Sequence, residues 1–106
     1  MRYVTESDTV IFTKAVKGDT EAFSYLVNKY SNAVYATAFQ VVRDFHRSED
    51  IAQETFIRAW HNLTRIREVE KFGSWLYTTA KRISIDTLRK ETKLPLKTLY
   101  DLSYPL

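Results

Sequence analysis

The sequence contains no cysteine, only two glycines and two prolines, and no long apolar run. The lack of cysteine excludes a disulfide framework and a thiolate metal site, and it fits a reducing compartment. No run approaches the roughly 18 apolar residues that a membrane-spanning helix needs, so no membrane insertion is predicted. The N-terminus also lacks the basic and apolar regions of a secretory signal. We therefore expect a cytoplasmic protein.

The scarcity of glycine and proline predicts long helices joined by few turns. Hydrophobic residues make up 44% of the 106 residues. That share excludes an intrinsically disordered chain, and the length suits one domain with one core. We predict an all-α bundle of three to four helices over residues 1–91. An irregular tail or linker is expected over residues 92–106, which contain both prolines.

The spacing of apolar residues predicts where the first two helices begin and end. A short helix is expected over Thr9–Lys17, ended by Gly18. Asp19 is expected to cap the second helix, because its carboxylate can accept a hydrogen bond from a free amide of the first turn. This long amphipathic helix is expected to run from Thr20 to about Arg43.

The same spacing predicts two further helices in the second half of the chain. Asp44–Arg47 is expected to form a turn, with Ser48 as the N-cap of the third helix. The polar segment Thr64–Glu70 interrupts the periodicity and is expected to be an exposed loop. The last helix is expected from about Lys71 to about Glu91. The inward-facing residues are expected to be Ala52, Phe56, Ala59, Trp60 and Leu63 in the third helix and Phe72, Leu76, Thr79, Ala80, Ile83 and Leu88 in the last.

The residues needed for catalysis or metal binding are missing from the sequence. His46 and His61 have no cysteine and no second histidine at metal-binding spacing. Gly18 and Gly73 are too few for a glycine-rich phosphate loop, and no serine lies in a nucleophile elbow. We therefore predict a protein that is not an enzyme and that needs no metal and no cofactor.

Positive charge is concentrated near the end of the predicted bundle. Residues 64–93 hold eight Lys or Arg and four Asp or Glu, whereas residues 1–63 hold seven and eight. Trp75 and Tyr77 lie among these cations, and aromatic rings between cations suit unpaired nucleic acid. A solvated basic helix face explains the charge equally well, and Trp75 could instead cap the core. The pattern leaves these alternatives open.

The third helix carries carboxylates beside an aliphatic residue on one expected solvent face. Asp50, Gln53, Glu54 and Ile57 share this face by helical spacing. Such a face could bind a basic, partly apolar helix of another protein. The pattern alone favours the simpler interpretation of a solvated face.

Three segments together resemble a known family. These are GDTEAFSYLVNKYSNAVYATAFQVVRD, then SEDIAQETFIRAWHNL, then FGSWLYTTAKRISIDTLRK. In this order and at this spacing they resemble region 2 of the extracytoplasmic-function (ECF) sigma factors of bacterial RNA polymerase. The resemblance covers about residues 8–91.

The resemblance implies two partners. In this family the third helix docks on the clamp helices of the polymerase β′ subunit, which implies that Asp50, Gln53 and Glu54 contact β′, with Ile57 beside them and Phe56 in the core. The last two segments bind the −10 promoter element, mainly its non-template strand, with a flipped base held by Leu63–Lys71. The implied DNA-binding residues are Arg65, Arg67, Lys71, Trp75, Tyr77, Thr78, Lys81, Arg82, Arg89 and Lys90. An anti-sigma factor is a further partner that the family implies.

Two departures from the family limit what is carried over. Arg82 stands where the family often has asparagine, and the two side chains read different bases, so no promoter sequence is inferred. Complete members continue into a helix-turn-helix domain, whereas residues 92–106 look like the start of a linker. We therefore expect an isolated domain or a shortened chain.

Two alternatives from other functional classes remain at this stage. One is a helical protein-interaction module, bound by an anti-sigma factor or occupying the clamp, that reads no DNA itself. The basic segment over residues 64–93 argues against it. The other is a repressor that reads duplex DNA, for which the sequence shows no short helix-turn-helix with a glycine turn.

Overall fold

Four helices joined by short turns make up the part of the chain that the computed structural model describes, residues 6–92, with side chains described for residues 7–91. They are α1 (Glu6–Val16), α2 (Thr20–Val42), α3 (Phe45–Ile66) and α4 (Val69–Thr92). This confirms the all-α prediction. The predicted tail lies outside the described residues, apart from Thr92 at the end of α4. Within residues 6–92, none of the helices is long and apolar enough to cross a membrane.

The turn between α1 and α2 follows the prediction closely. Gly18 adopts a φ of 99°, a conformation that residues with a side chain rarely adopt. The Asp19 carboxylate accepts hydrogen bonds from the amides of Glu21 and Ala22, at 3.0 and 3.1 Å. Asp19 is therefore the N-cap of α2, as predicted. A partly buried ion pair between Asp8 and Lys29, at 2.6 Å, also holds α1 against α2.

The junction of α2 and α3 is shorter than predicted. Asp44 caps α3 by accepting the Arg47 amide at 2.9 Å, so the helix already begins at Phe45. The prediction of a turn over Asp44–Arg47 with Ser48 as the cap was wrong. Ser48 is buried, and its hydroxyl donates to the Asp44 carbonyl at 2.7 Å.

The predicted loop over Thr64–Glu70 was also wrong. α3 continues to Ile66 and α4 begins at Val69, leaving two residues between them. Ile66 and Val69 are both buried against the core, at 7% and 3% exposure. Their burial draws the polar segment into helical structure, because apolar area removed from water outweighs weak local preferences.

Two adjoining groups of buried side chains form the core. The larger group joins all four helices around Phe72, which contacts Phe12 and Tyr30 edge-on at ring-centre distances of 5.5 and 5.4 Å. The smaller group lies where α2 ends, around Val42 and Ile85. Phe72, Leu76 and Ala80 are buried, as predicted. Phe56, Ala59 and Leu63 are also buried, whereas Ala52, Trp60, Ile83 and Leu88 are partly buried at the core edge.

Three buried hydroxyl residues were not predicted to face the core. Ser48, Thr55 and Ser84 are almost fully enclosed. Each hydroxyl donates to the backbone carbonyl four residues earlier, at 2.7 Å. Because each polar group is satisfied within its own helix, these small side chains can lie between packed helices without an unpaired donor.

Candidate nucleic-acid and protein interfaces

A cavity of about 470 Å³ opens where α3 ends and α4 begins. It is formed by the last turn of α3, the two junction residues and the first turns of α4. We call it the junction pocket. Its lining residues are Arg65, Ile66, Arg67, Glu68, Lys71, Ser74, Trp75 and Thr78.

The junction pocket brings together five of the predicted DNA-binding residues. Lys71, Trp75 and Thr78 lie at helical spacing of four and seven residues, so they share one side of α4. Arg65 comes from the last turn of α3. Arg67 ends that helix with a φ of 64°, and its amide donates to the Leu63 carbonyl at 3.0 Å. The positive φ at Arg67 turns the chain sharply enough for both helices to face the same opening.

Positive charge dominates the junction pocket. Three of its lining residues are cationic and one, Glu68, is acidic. Glu68 lies 3.8 Å from Lys71 across an exposed pair. Within the described residues, Arg65 and Arg67 form no ion pair. Their guanidinium groups are therefore available to an anionic ligand such as a phosphate.

Trp75 has two roles in this structure. It is half-buried and packs against the larger core group, as the core-capping interpretation predicts. It also forms part of the pocket wall. A tryptophan that is fixed by the core and exposed along one side offers a preorganised surface for a flat ring.

The other predicted DNA-binding residues lie outside the junction pocket. Arg82 and Arg89 follow Lys71 by 11 and 18 residues, close to three and five full helical turns, so they continue the same side of α4. Lys81 instead lies over the exposed ring of Tyr77, with its Nζ 5.7 Å from the ring centre. The predicted DNA-binding residues therefore divide into five that line the junction pocket and five that lie outside it. Lys71, Arg82 and Arg89, which share one side of α4, are called the basic strip below. The outlying residues are Tyr77, Lys81, Arg82, Arg89 and Lys90.

Three lining residues were not among the predicted site residues. Ile66, Glu68 and Ser74 line the junction pocket together with the predicted set. Ser74 could have been found from its spacing of three residues from Lys71. Ile66 and Glu68 lie within Leu63–Lys71, the segment that the resemblance assigns to a flipped base, but no pattern in the sequence singled them out.

The predicted protein-binding face lies on α3, on residues spaced by three, four and seven positions. Asp50 and Gln53 are exposed, and Ile57 leaves 54% of its surface in solvent. Glu54 is half-buried and accepts a hydrogen bond from Arg58 at 2.9 Å. These four residues, Asp50, Gln53, Glu54 and Ile57, are called the α3 face below.

Two shallow apolar hollows between α2 and α3 adjoin the α3 face. Both are bordered by Ile57 and Phe56. One extends to Phe23 and Trp60, whose rings pack edge-on at 5.0 Å. The other extends to Val27. Ile57 is therefore an exposed aliphatic residue that borders both apolar hollows. The carboxylates of Asp50 and Glu54 lie on the same face of α3.

The two histidines are exposed and lie apart from the junction pocket. His61 borders one apolar hollow, and His46 lies in the first turn of α3. In the portion of the chain that the structure covers, no group of three or more histidine, aspartate or glutamate side chains is placed to hold a metal ion.

Comparison with known proteins identifies the class of this domain. A family model described as Sigma-70 region 2 matches residues 26–94. The chain therefore belongs to the sigma-70 region 2 family. Sigma factors are transcription initiation factors and not enzymes, in agreement with the predicted absence of catalysis.

Curated relatives place the chain more narrowly, with the ECF sigma factors. It is 40% identical over 75 residues to the ECF RNA polymerase sigma factor SigW of Bacillus subtilis, a match covering 71% of this chain and 40% of that protein. It is 34% identical over 84 residues to the RNA polymerase sigma-H factor of Pseudomonas aeruginosa, covering 79% and 42%. The ECF RNA polymerase sigma-E factor of Haemophilus influenzae is 32% identical over 85 residues, covering 78% and 41%. The chain thus spans about two fifths of the length of these relatives.

Proposed function

We propose that this chain binds the RNA polymerase core and recognises and melts the −10 element of a bacterial promoter. The observation that carries the proposal is the presence, on a sigma region 2 chain, of a cationic pocket with an aromatic wall on a different surface from an acidic and apolar helix face. The role is non-enzymatic, needs no cofactor and takes place in the cytoplasm. An anti-sigma factor would act by covering either surface.

The α3 face is the proposed contact with the clamp helices of the β′ subunit. Asp50 and Glu54 supply carboxylates for basic side chains of a partner helix, and Gln53 can both donate and accept hydrogen bonds. Ile57 and the two apolar hollows supply a surface for aliphatic side chains. An amphipathic helix with basic and aliphatic residues fits this combination.

The junction pocket is the proposed site for a base flipped out of the non-template strand. Flipping costs a few kcal/mol of stacking and pairing, which contacts in a pocket can offset. Trp75 offers a ring for stacking, and Arg65, Arg67 and Lys71 can contact the phosphates on either side. Melting follows because the flipped base is held where it cannot re-pair.

The basic strip along α4 is the proposed path of the adjoining DNA backbone. Lys71, Arg82 and Arg89 lie on one side of the helix, and 18 residues of α-helix span about 27 Å. Tyr77 and Lys81 lie beside this strip, already in contact with each other. The strip would position the strand while the pocket holds one base.

Fluorescence anisotropy with labelled non-template-strand oligonucleotides tests the proposal. Binding is measured with and without a β′ clamp-helix fragment, at two salt concentrations. We expect sequence-dependent binding that strengthens with the fragment and weakens with salt. The double variant Trp75→Ala with Lys81→Ala should lose DNA binding but keep fragment binding. Asp50→Ala with Gln53→Ala should do the reverse.

Two outcomes would contradict the proposal in different ways. Fragment binding without any sequence-dependent DNA binding would remove the promoter-recognition half. Unchanged fragment affinity in the Asp50→Ala, Gln53→Ala variant would remove the assignment of the α3 face. Thermal unfolding of each variant, followed by circular dichroism, separates lost contacts from lost structure.

A further inference from the structure

Glu68 is out of place, by charge, in a pocket proposed to bind nucleic acid. It is the one acidic residue among the described residues that line the junction pocket. A carboxylate repels phosphate and weakens the electrostatic attraction that Arg65, Arg67 and Lys71 provide. Its presence therefore needs a reason other than backbone binding.

Helix capping does not supply that reason. Glu68 immediately precedes α4, the position where a short polar side chain would accept from the first free amides. Asp44 does this for α3, at 2.9 Å from the Arg47 amide. The Glu68 carboxylate makes no such bond, and its partner within the described residues is Lys71 at 3.8 Å.

The pair with Lys71 does not supply the reason either. Both side chains are more than half exposed, at 54% for Glu68 and 68% for Lys71. Exposed ion pairs of this kind contribute little to stability. The carboxylate is thus at the pocket wall, accessible to a ligand and paired within the described residues only with Lys71.

The chemistry of the bases suggests what the carboxylate binds. An ionised carboxylate accepts hydrogen bonds but cannot donate them. Cytosine presents its N4 amine as a donor, and an acidic side chain is a known acceptor for it. Uracil and thymine present the O4 carbonyl at the same place, and two acceptors repel each other. Trp75 can stack on any of these rings, so Glu68 would provide the discrimination.

We propose that Glu68 selects the base held in the junction pocket, accepting a hydrogen bond from the exocyclic amine of cytosine and disfavouring the keto pyrimidines. The inference rests on the proposed function, because it assumes that the pocket holds a base. It predicts which base the junction pocket prefers, whereas neither the family resemblance nor Arg82 predicts a base.

Two oligonucleotides that differ in a single pyrimidine base test this preference. Each is a labelled twelve-nucleotide thymidine strand with one central substitution, dC in one and dU in the other. The two differ at the pyrimidine edge that would meet Glu68, and the strand can shift until its central base lies in the pocket. Affinities are measured by anisotropy at low salt with the 106-residue chain, with and without the β′ clamp-helix fragment.

We expect the chain to bind the dC strand about five- to tenfold more tightly than the dU strand, at the lower end of the range for a good base contact. Glu68→Gln should reduce the preference below about twofold, since an amide offers both a donor and an acceptor. Glu70→Gln is the matched control. It makes the same change of charge two residues away, on an exposed residue that does not line the pocket, and it should keep the dC preference.

Each remaining outcome counts against a specific statement. If Glu68→Gln keeps the preference while circular dichroism shows an intact fold, Glu68 is not the selecting group. If the unmodified chain binds both strands equally, the inference fails and the proposed function stands. If it binds neither strand, even with the β′ fragment present, the inference fails, and the proposed function fails as well if the −10-like oligonucleotides also do not bind.

Discussion

The two helix junctions, α2–α3 and α3–α4, are built from the same pair of residue types but differ in the contacts that these residues make. Each consists of an arginine with positive φ followed by an acidic residue. Arg43 has a φ of 55° and precedes Asp44, and Arg67 has a φ of 64° and precedes Glu68. Asp44 caps the helix that follows, whereas Glu68 lies at the wall of a cavity.

The polar groups of the first junction bond within the domain. Arg43 donates from Nε to the carbonyl of Gln40 at 3.2 Å, and Arg47 pairs with Glu91 of α4. At the second junction, Arg65 and Arg67 form no ion pair within residues 6–92. The polar groups of the first junction are thus paired within the domain, whereas Arg65 and Arg67 at the second are left for the proposed ligand.

The aromatic residues differ in the same way. At the first junction Tyr35, Phe39 and Phe45 form a stack, with ring-centre distances of 6.4 and 5.1 Å. Desolvation raises the pKa of Tyr35, and the charges of Glu49 and Asp44 raise it further. At the second junction a single ring, Trp75, borders the cavity among cations.

Replacing one aromatic residue at each junction should give the largest contrast. Trp75→Ala should weaken binding of single-stranded DNA about 5- to 150-fold, the range expected for losing one base-stacking contact of about 1–3 kcal/mol. Phe45→Ala should leave DNA binding unchanged, although Phe45 is the more exposed ring. Anisotropy measures both. Equal losses in the two variants would show that the junctions do not differ in function.

Removing the acid at each junction should separate capping from ligand binding. Asp44→Ala should lower the free energy of unfolding by about 1 kcal/mol, because the Arg47 amide loses its acceptor. For a domain of this size that corresponds to a fall in Tm of about 4–8 °C. Glu68→Ala should shift Tm by much less. A comparable fall in both variants would show that Glu68 contributes to the stability of α4.

Glycine at the two positive-φ positions should stabilise both junctions and affect DNA binding at only one of them. Arg43→Gly and Arg67→Gly should each raise the free energy of unfolding by up to about 1 kcal/mol, because glycine adopts positive φ without strain. Arg67→Gly should also reduce the salt dependence of DNA binding by about one phosphate contact. Thermal unfolding and anisotropy against salt measure the two effects. A change in DNA binding in the Arg43→Gly variant would contradict the division between the junctions.

Shortening one side chain should make the second junction resemble the first. Glu68→Asp should raise the free energy of unfolding by about 0.5 kcal/mol, since aspartate can accept from the first amides of α4 as Asp44 does for α3. The carboxylate would then be drawn away from the cavity, and the preference for dC over dU should fall. A Tm that does not rise would indicate that the backbone at Glu68 is unsuited to capping.

The helices themselves were predictable because their signals are local. Apolar residues at spacings of three and four mark α2 and α4, and Asp19 is a strong cap immediately before α2 begins at Thr20. Phe72, Leu76 and Ala80 follow one another by four residues and are buried as expected. The family resemblance depends on the same segments, so it could also be found from the sequence alone.

The junctions and the buried hydroxyl residues were not predictable in the same way. Whether Ser48 caps a helix or lies inside one depends on a competing cap at Asp44, and both residues are good caps. Thr55 and Ser84 are polar residues that sequence patterns assign to the surface. They can be buried because each hydroxyl donates to the backbone carbonyl four residues earlier. The helical state of the segment before Lys71 depends on core space for Ile66 and Val69.

The amino-acid pattern alone thus specified four amphipathic helices, a basic last helix and an acidic face on the third. The tertiary fold decided that Arg65, Arg67, Lys71, Trp75 and Thr78 surround one cavity with Glu68 at its wall. Periodicity relates residues within a single helix, where neighbours are separated by fixed turns. A pocket that joins two helices depends on the backbone angle at Arg67 and on how deeply Ile66 and Val69 pack. Those quantities arise only when the whole core is assembled.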